Sequence, residues 1–296
     1  MTSRYATPES FKQALEHRLL ADAKARSFDV QHVRQLFVFD RFLARLFAGG
    51  DDLILKGGLV LALRLPRARP TRDVDLRATG DLEQVLTQLR AASRLEMLDF
   101  LSFEVSPDHE HPELTGVGVI YSGRRFRAKG LLGGRPYGAP FGVDVVIGGP
   151  VTGDVEVLAG RPYLDFVGVA PGHSRVLPIE QHIAEKLHAL TVPRSTLNSR
   201  VRDLPDLLLL ASVRPIRGAL LRLAIEQTFA FRATHPVPHC MPPPAEVWAD
   251  KYAALARDVG LPWQELKAAV VAAGRFVDPV LAAVPDTWDP TTWQWT

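Results

Sequence analysis

At 296 residues, 47% of them hydrophobic and 23% charged, the chain has the usage of an ordinary folded protein; this excludes wholesale disorder and leaves room for one large or two modest cores. A formal charge of +2 with a pI near 8.8 is no argument for nucleic acid on its own, so any basic surface must be local. A single cysteine, Cys240, excludes an internal disulfide and a multi-cysteine zinc site, and no apolar run reaches membrane-spanning length; the expectation is a cytoplasmic protein with no membrane contact.

Taken in chain order, Pro8 to Arg26 places Leu15, Leu19 and Ala23 at helical spacing behind Thr7, an N-cap residue. Asp29 to Phe47 repeats the pattern more strongly through Val33, Leu36, Phe37, Asp40 and Leu43, and ends at Gly49-Gly50. Asp40 on that stripe calls for a polar partner. Next, Leu53-Ile54-Leu55, Gly57-Gly58 and Leu59-Val60-Leu61-Ala62-Leu63 read as strand, glycine turn and helix. Glycines there let backbone N–H groups approach phosphate oxygens, and a helix N-terminus favours negative charge.

An arginine-rich loop then leads into Asp73-Val74-Asp75-Leu76, a strand-like run in which side chains alternate, so Asp73 and Asp75 leave one face. Two carboxylates that close repel unless a cation neutralises them, and hard oxygen ligands suit Mg²⁺ or Mn²⁺. Leu82 to Leu89 is helical, and Phe100–Val105, Val117–Tyr121, Phe126–Leu132 and Val143–Ile147 read as strands of an antiparallel-looking region. Asp144 interrupts the last of these and is a candidate third acidic ligand.

Ile179 to Leu190 is a helix with Lys186 beside its apolar face, within reach of a phosphate. Asp203 and Asp206 lie three apart at the start of another helix, Asp203 being a natural N-cap. Ile216–Phe231, Glu246–Val259 and Trp263–Phe276 complete a helical C-terminal third, with a proline-rich linker from His235 to Pro244. The tryptophans Trp288, Trp293 and Trp295 fit the packing-down of that region better than ligand stacking.

Together, Leu55-Lys56-Gly57-Gly58, Arg69-Pro70-Thr71-Arg72-Asp73-Val74-Asp75-Leu76, Ile183-Ala184-Glu185-Lys186-Leu187-His188-Ala189-Leu190 and Arg202-Asp203-Leu204-Pro205-Asp206-Leu207 resemble the AbiEii/AbiGii-type toxin nucleotidyltransferases. These include the mycobacterial MenT toxins and belong to the DNA polymerase β-like superfamily; the resemblance covers roughly Phe11 to Leu210. It implies an α/β (α+β) mixed-sheet nucleotidyltransferase core with N-terminal helices over residues 1–175, and a helical C-terminal lobe over 176–296. It also implies Mg²⁺-dependent transfer of a nucleotide from a nucleoside triphosphate to RNA, in the mycobacterial branch the tRNA 3′ end, with a cognate antitoxin as partner.

Carried over by resemblance, Asp73, Asp75 and Asp144 hold the metal, Asp144 alternatively acting as base. Lys56, Lys186 and Arg72 contact the triphosphate over Gly57 and Gly58. Asp203 or Asp206 either orients Lys186 or accepts a proton. The superfamily signature has Gly-Ser where this chain has Gly57-Gly58; Thr71 is placed to supply the missing hydroxyl, and in a family of this kind is also a site for inactivating phosphorylation. Arg124, Arg125, Arg127, Lys129, Arg135, Arg194, Arg200 and Arg202 are expected on an RNA-facing surface. A metal-dependent nuclease and a non-catalytic RNA- or nucleotide-binding partner of a toxin–antitoxin pair are the competing readings.

Overall fold

The computed structural model describes residues 5–110, 123–193, 199–283 and 286–296. Helix α1 (Pro8–Arg26) begins where the Ser10 N–H donates to Thr7 Oγ1, and buries Phe11, Leu15, Leu19 and Ala23. Helix α2 (Val30–Ala48) is capped by Asp29, which accepts from the N–H groups of Gln31 and His32. There follow β1 (Leu53–Lys56), α3 (Gly57–Arg64), β2 (Asp73–Ala78), α4 (Leu82–Ser93), β3 (Leu101–Pro107), β4 (Gly123–Leu132), β5 (Arg135–Pro136), β6 (Phe141–Ile147), β7 (Glu156–Ala159) and β8 (His173–Val176).

These strands form one sheet in the order β3-β4-β6-β2-β1-β8-β7, with β5 a further partner of β4. The β2–β6 and β1–β8 pairs are parallel, whereas β1–β2, β3–β4, β4–β6 and β7–β8 are antiparallel, so the sheet is mixed as expected. Val74, Leu76, Val143 and Val145 are fully buried on the face that joins α1, α2 and α4 in one core. Burying each such side chain is worth about 1.5–3 kcal/mol, and a one-residue slip of β2 would exchange Val74 and Leu76 for Asp73 and Asp75. The apolar alternation thereby fixes the side on which the carboxylates stand.

A second core is built by α5 (Ile179–Thr191), α6 (Asp203–Ala211), α7 (Gly218–Arg232), α8 (Ala249–Val259) and α9 (Leu266–Ala282). A small sheet of β9 (Ile216–Arg217), β10 (Thr287–Asp289) and β11 (Gln294–Trp295) closes it. The three tryptophans do pack this region down: the indole N–H groups of Trp288, Trp293 and Trp295 donate to the carbonyls of Ala211, Ala272 and Phe276 at 2.8, 3.0 and 2.8 Å.

Several boundaries differ from the sequence expectation. Phe100 adopts φ 55°, so β3 starts one residue later. Ile216 and Arg217 pair with Trp288 and Thr287 as strand, and the helix expected there begins only at Gly218. Trp263 lies ahead of α9 and packs on Trp293 at 4.4 Å. The expected strand Val117–Tyr121 lies outside the described residues. Asp40 finds its partner next door, Arg41 at 3.7 Å; burial still pushes its carboxyl up to about 6, the Arg41 charge only partly offsetting it. Among the described residues no helix is long and apolar enough to cross a membrane.

Candidate active site

The sheet register assembles the acidic face. Asp75 stands opposite Lys56 of β1 on one side and Asp144 of β6 on the other, and Asp144 in turn stands opposite Arg125 of β4. Facing residues of paired strands point to the same side, so Lys56, Asp73, Asp75, Asp144 and Arg125 share one surface. Burial and then the Asp144 charge push Asp75 up to about 7, against the pull of Lys56 and Lys186. The same two causes raise Asp73, with Arg125 opposing. Both carboxylates are thus held above their ordinary range by burial and by the charge of a neighbouring carboxylate, a charge that a cation would offset.

Helix α3 starts directly after β1, with Lys56 as its N-cap and no side chain bonded to its first N–H groups. Gly57 has φ 69°, and a Cβ there would lie 2.0 Å from Asp75 Oδ2. A Cβ on Gly58 would lie 3.2 Å from Thr71 Oγ1, so the Thr71 hydroxyl stands beside the position a serine at 58 would use; it donates to the Asp73 carbonyl at 3.3 Å. Replacing Gly57 by alanine combines left-handed strain with a clash against Asp75. The expected cost is about 1–3 kcal/mol in urea unfolding together with impaired catalysis; unchanged stability would show that the turn relaxes freely.

The second half of the site comes from α5 and α6. Lys186 Nζ donates to Asp203 Oδ1 at 3.0 Å and to Asp206 Oδ2 at 2.7 Å. Burial would lower the Lys186 pKa, but the attraction of Asp206 and Asp203 outweighs it and the ammonium is held well above the usual lysine range. Asp206, fully buried, also accepts from Arg69 Nε at 3.0 Å and Nη2 at 2.8 Å; burial is outweighed by Lys186 and Arg69, so it stays below the usual carboxylate range. Asp203 is not the N-cap expected from sequence. Arg202 holds that position, and the Asp203 carboxylate is drawn instead to Lys186 and, at 3.5 Å, Arg200. Both aspartates therefore accept hydrogen bonds from Lys186.

Lys56 Nζ donates to Glu185 Oε1 at 2.7 Å. Beside this pair, Gly148, Gly149, Phe231 and Arg232 line a recess. Sequence reasoning gave no role to Glu185 or Arg69, although both sit inside the motif runs, and it placed Arg125 only among surface charges. Arg125 instead donates to both oxygens of Asp144, from Nε at 2.6 Å and Nη2 at 2.7 Å. Arg127 and Lys129 follow it on the same face, paired loosely with Glu110 at 3.8 Å and Glu104 at 3.7 Å, whereas Arg124 turns to the other side and meets Glu83 on α4. Arg72, Arg135 and Arg202 are exposed, and Arg194 lies outside the described residues.

Asp73 and Asp75 fit a hard divalent cation by donor type and by their under-compensated charge. Among the described residues, however, no three acidic, histidine or cysteine side chains stand ready as a metal cluster. Of the three aspartates expected to hold the metal, Asp144 has both oxygens engaged by Arg125.

A family model described as nucleotidyl transferase AbiEii toxin, type IV toxin–antitoxin system, matches residues 41–270. Among solved structures, MenT4, a nucleotidyltransferase toxin from Mycobacterium tuberculosis, aligns with a TM-score of 0.59 at 19% identity, covering 94% of this chain and 92% of that one. JHP933 from Helicobacter pylori aligns with a TM-score of 0.44 at 14% identity over 86% of this chain and 93% of that one. A search of curated proteins found no match.

Proposed function

Because the chain belongs to the AbiEii nucleotidyl transferase toxin family, we propose that it transfers a nucleoside monophosphate from a nucleoside triphosphate to the 3′ end of tRNA, blocking aminoacylation and so translation. The observation that carries the reading is the meeting of two under-compensated carboxylates, Asp73 and Asp75, with a lysine, Lys186, fixed in its charged form. That combination suits a polyphosphate with its counter-ion better than a single phosphodiester.

A divalent cation, Mg²⁺ in this reading, would be held by Asp73 and Asp75, with Asp144 as further ligand or as base, and when bound it supplies charge neutralisation at the reacting phosphate. The chain's own contribution is positioning. Lys186, aimed by Asp203 and Asp206, and Lys56, held by Glu185, place point charges against the triphosphate oxygens. The open N–H groups of α3 and the Thr71 hydroxyl add donors at Gly57-Gly58, and the exposed Arg72 adds a further charge. Arg127 and Lys129 offer the acceptor RNA a basic strand beside the acidic face.

The family implies a cognate antitoxin; a tRNA acceptor would be met in the cytoplasm. A phosphate on Thr71 would set negative charge against Asp73 and Asp75 and silence the site.

The test is to incubate the protein with total tRNA and each labelled nucleoside triphosphate in turn, with and without a chelator, and to read RNA mass. Transfer adds one or more nucleotide masses with a preferred base and stops with the chelator. Shortened RNA would mean hydrolysis, and unchanged RNA with all four substrates would refute the tRNA reading.

A further inference from the structure

We propose that Arg125 is a built-in stand-in for the divalent cation: it occupies Asp144 in the free protein, and a metal gains that carboxylate only by displacing it. The inference rests on the metal-nucleotide reading of the acidic face. Its starting point is that the side chain best placed to complete the Asp73–Asp75 pair is already engaged, through both oxygens, by a guanidinium from the neighbouring strand.

A fixed structural salt bridge looks different in this same molecule. Arg45 and Asp99 are fully buried; Arg45 donates to both Asp99 oxygens, to the Leu101 carbonyl and to the Arg41 carbonyl, and Arg41 adds a further bond to Asp99. That pair is held by bonds from both terminal nitrogens of Arg45 and by a second arginine. Arg125, by contrast, keeps 31% of its side chain exposed, and among the described residues its guanidinium donates hydrogen bonds to Asp144 alone, with the Asp73 and Asp108 charges acting on it from further off. Its guanidinium can therefore leave for water without stranding a buried donor, which is what an exchangeable occupant requires.

The electrostatics point the same way. A third carboxylate beside Asp73 and Asp75 is costly without a cation, and the Asp144 charge already acts on both. Arg125 supplies one positive charge at that corner in the absence of metal. A divalent ion supplies two, and ligates where a guanidinium only donates hydrogen bonds. Strand β4 thus offsets part of the charge of the acidic face while no metal is bound.

The experiment measures Mn²⁺ affinity of the full chain by electron paramagnetic resonance of the free ion. R125A is expected to tighten Mn²⁺ binding roughly three- to tenfold, toward the lower end of the coupling found between neighbouring groups. R125K, which retains the charge without the fork, falls between R125A and wild type. R127A removes an equal charge from the same face of β4 and changes affinity less than about twofold, because nothing there competes with the metal. In a D144N background the gain from R125A disappears. Equal affinities for wild type and R125A, or a gain that persists with D144N, would overturn the proposal and leave Arg125 as a fixed brace. Failure of the underlying reading has another signature: wild-type protein, D73N and R125A would all bind no Mn²⁺.

Discussion

Asp75→Asn is expected to abolish nucleotidyl transfer, by about a thousandfold, and at the same time to make the protein more stable. The two effects have one cause. Burial and Asp144 hold the folded Asp75 carboxyl at about 7, whereas in the unfolded chain it titrates near 3.9. The folded protein therefore binds this proton more tightly than the unfolded one, and wild-type stability falls as pH rises from about 4 to about 7, then levels off. Asparagine mimics the protonated form and escapes that fall. At pH 8 in metal-free buffer the variant should gain roughly 1–3 kcal/mol, read by urea unfolding, with the difference vanishing near pH 4. A variant that is both inactive and destabilised would show that the charge at Asp75 is already compensated without metal.

Asp206→Ala is expected to cost far more stability than Asp203→Ala, although both aspartates bind Lys186. Asp206 is fully buried and holds two cations, Lys186 and the forked Arg69; its loss leaves both short of a counter-charge inside the protein, at about 3–5 kcal/mol. Asp203 shares its charge with Lys186 and with Arg200, which is 43% exposed, so solvent takes over much of what alanine removes and the cost is about 1 kcal/mol. Transfer activity should fall in both, since each aims Lys186. Equal urea midpoints for the two variants would refute the ranking.

What the sequence shows and what it hides divides along physical lines. Helix α1 is legible because Thr7 caps it, Pro8 opens it and the Leu15-Leu19-Ala23 stripe runs along its buried side. The common face of Asp73 and Asp75 follows from the period of a strand, and Asp144 joins them because β6 has the same alternation. The partners do not follow. Lys56 meets Glu185, Arg69 meets Asp206 and Arg125 meets Asp144 only through register and helix packing, which no local pattern encodes. The short strand Ile216–Arg217 escapes for the same reason, its hydrogen bonds going to Thr287 and Trp288. For Asp203, two local signals competed: an aspartate ahead of a helix with proline in its first turn reads as a cap, but a buried ammonium nearby is the stronger attraction.

The long reach of these contacts has a consequence for how the protein is made. Lys56 and Glu185 are 129 positions apart, and Arg69 and Asp206 are 137 apart. At ordinary translation speeds of about 5–20 residues per second, the ribosome needs on the order of ten seconds between emitting the glycine turn and emitting the aspartates that aim Lys186. For most of that interval the nascent chain carries Asp73 and Asp75 of the first core without the lysine of the second. On the proposed tRNA reading, the chain would thus stay inactive while it is still being synthesised.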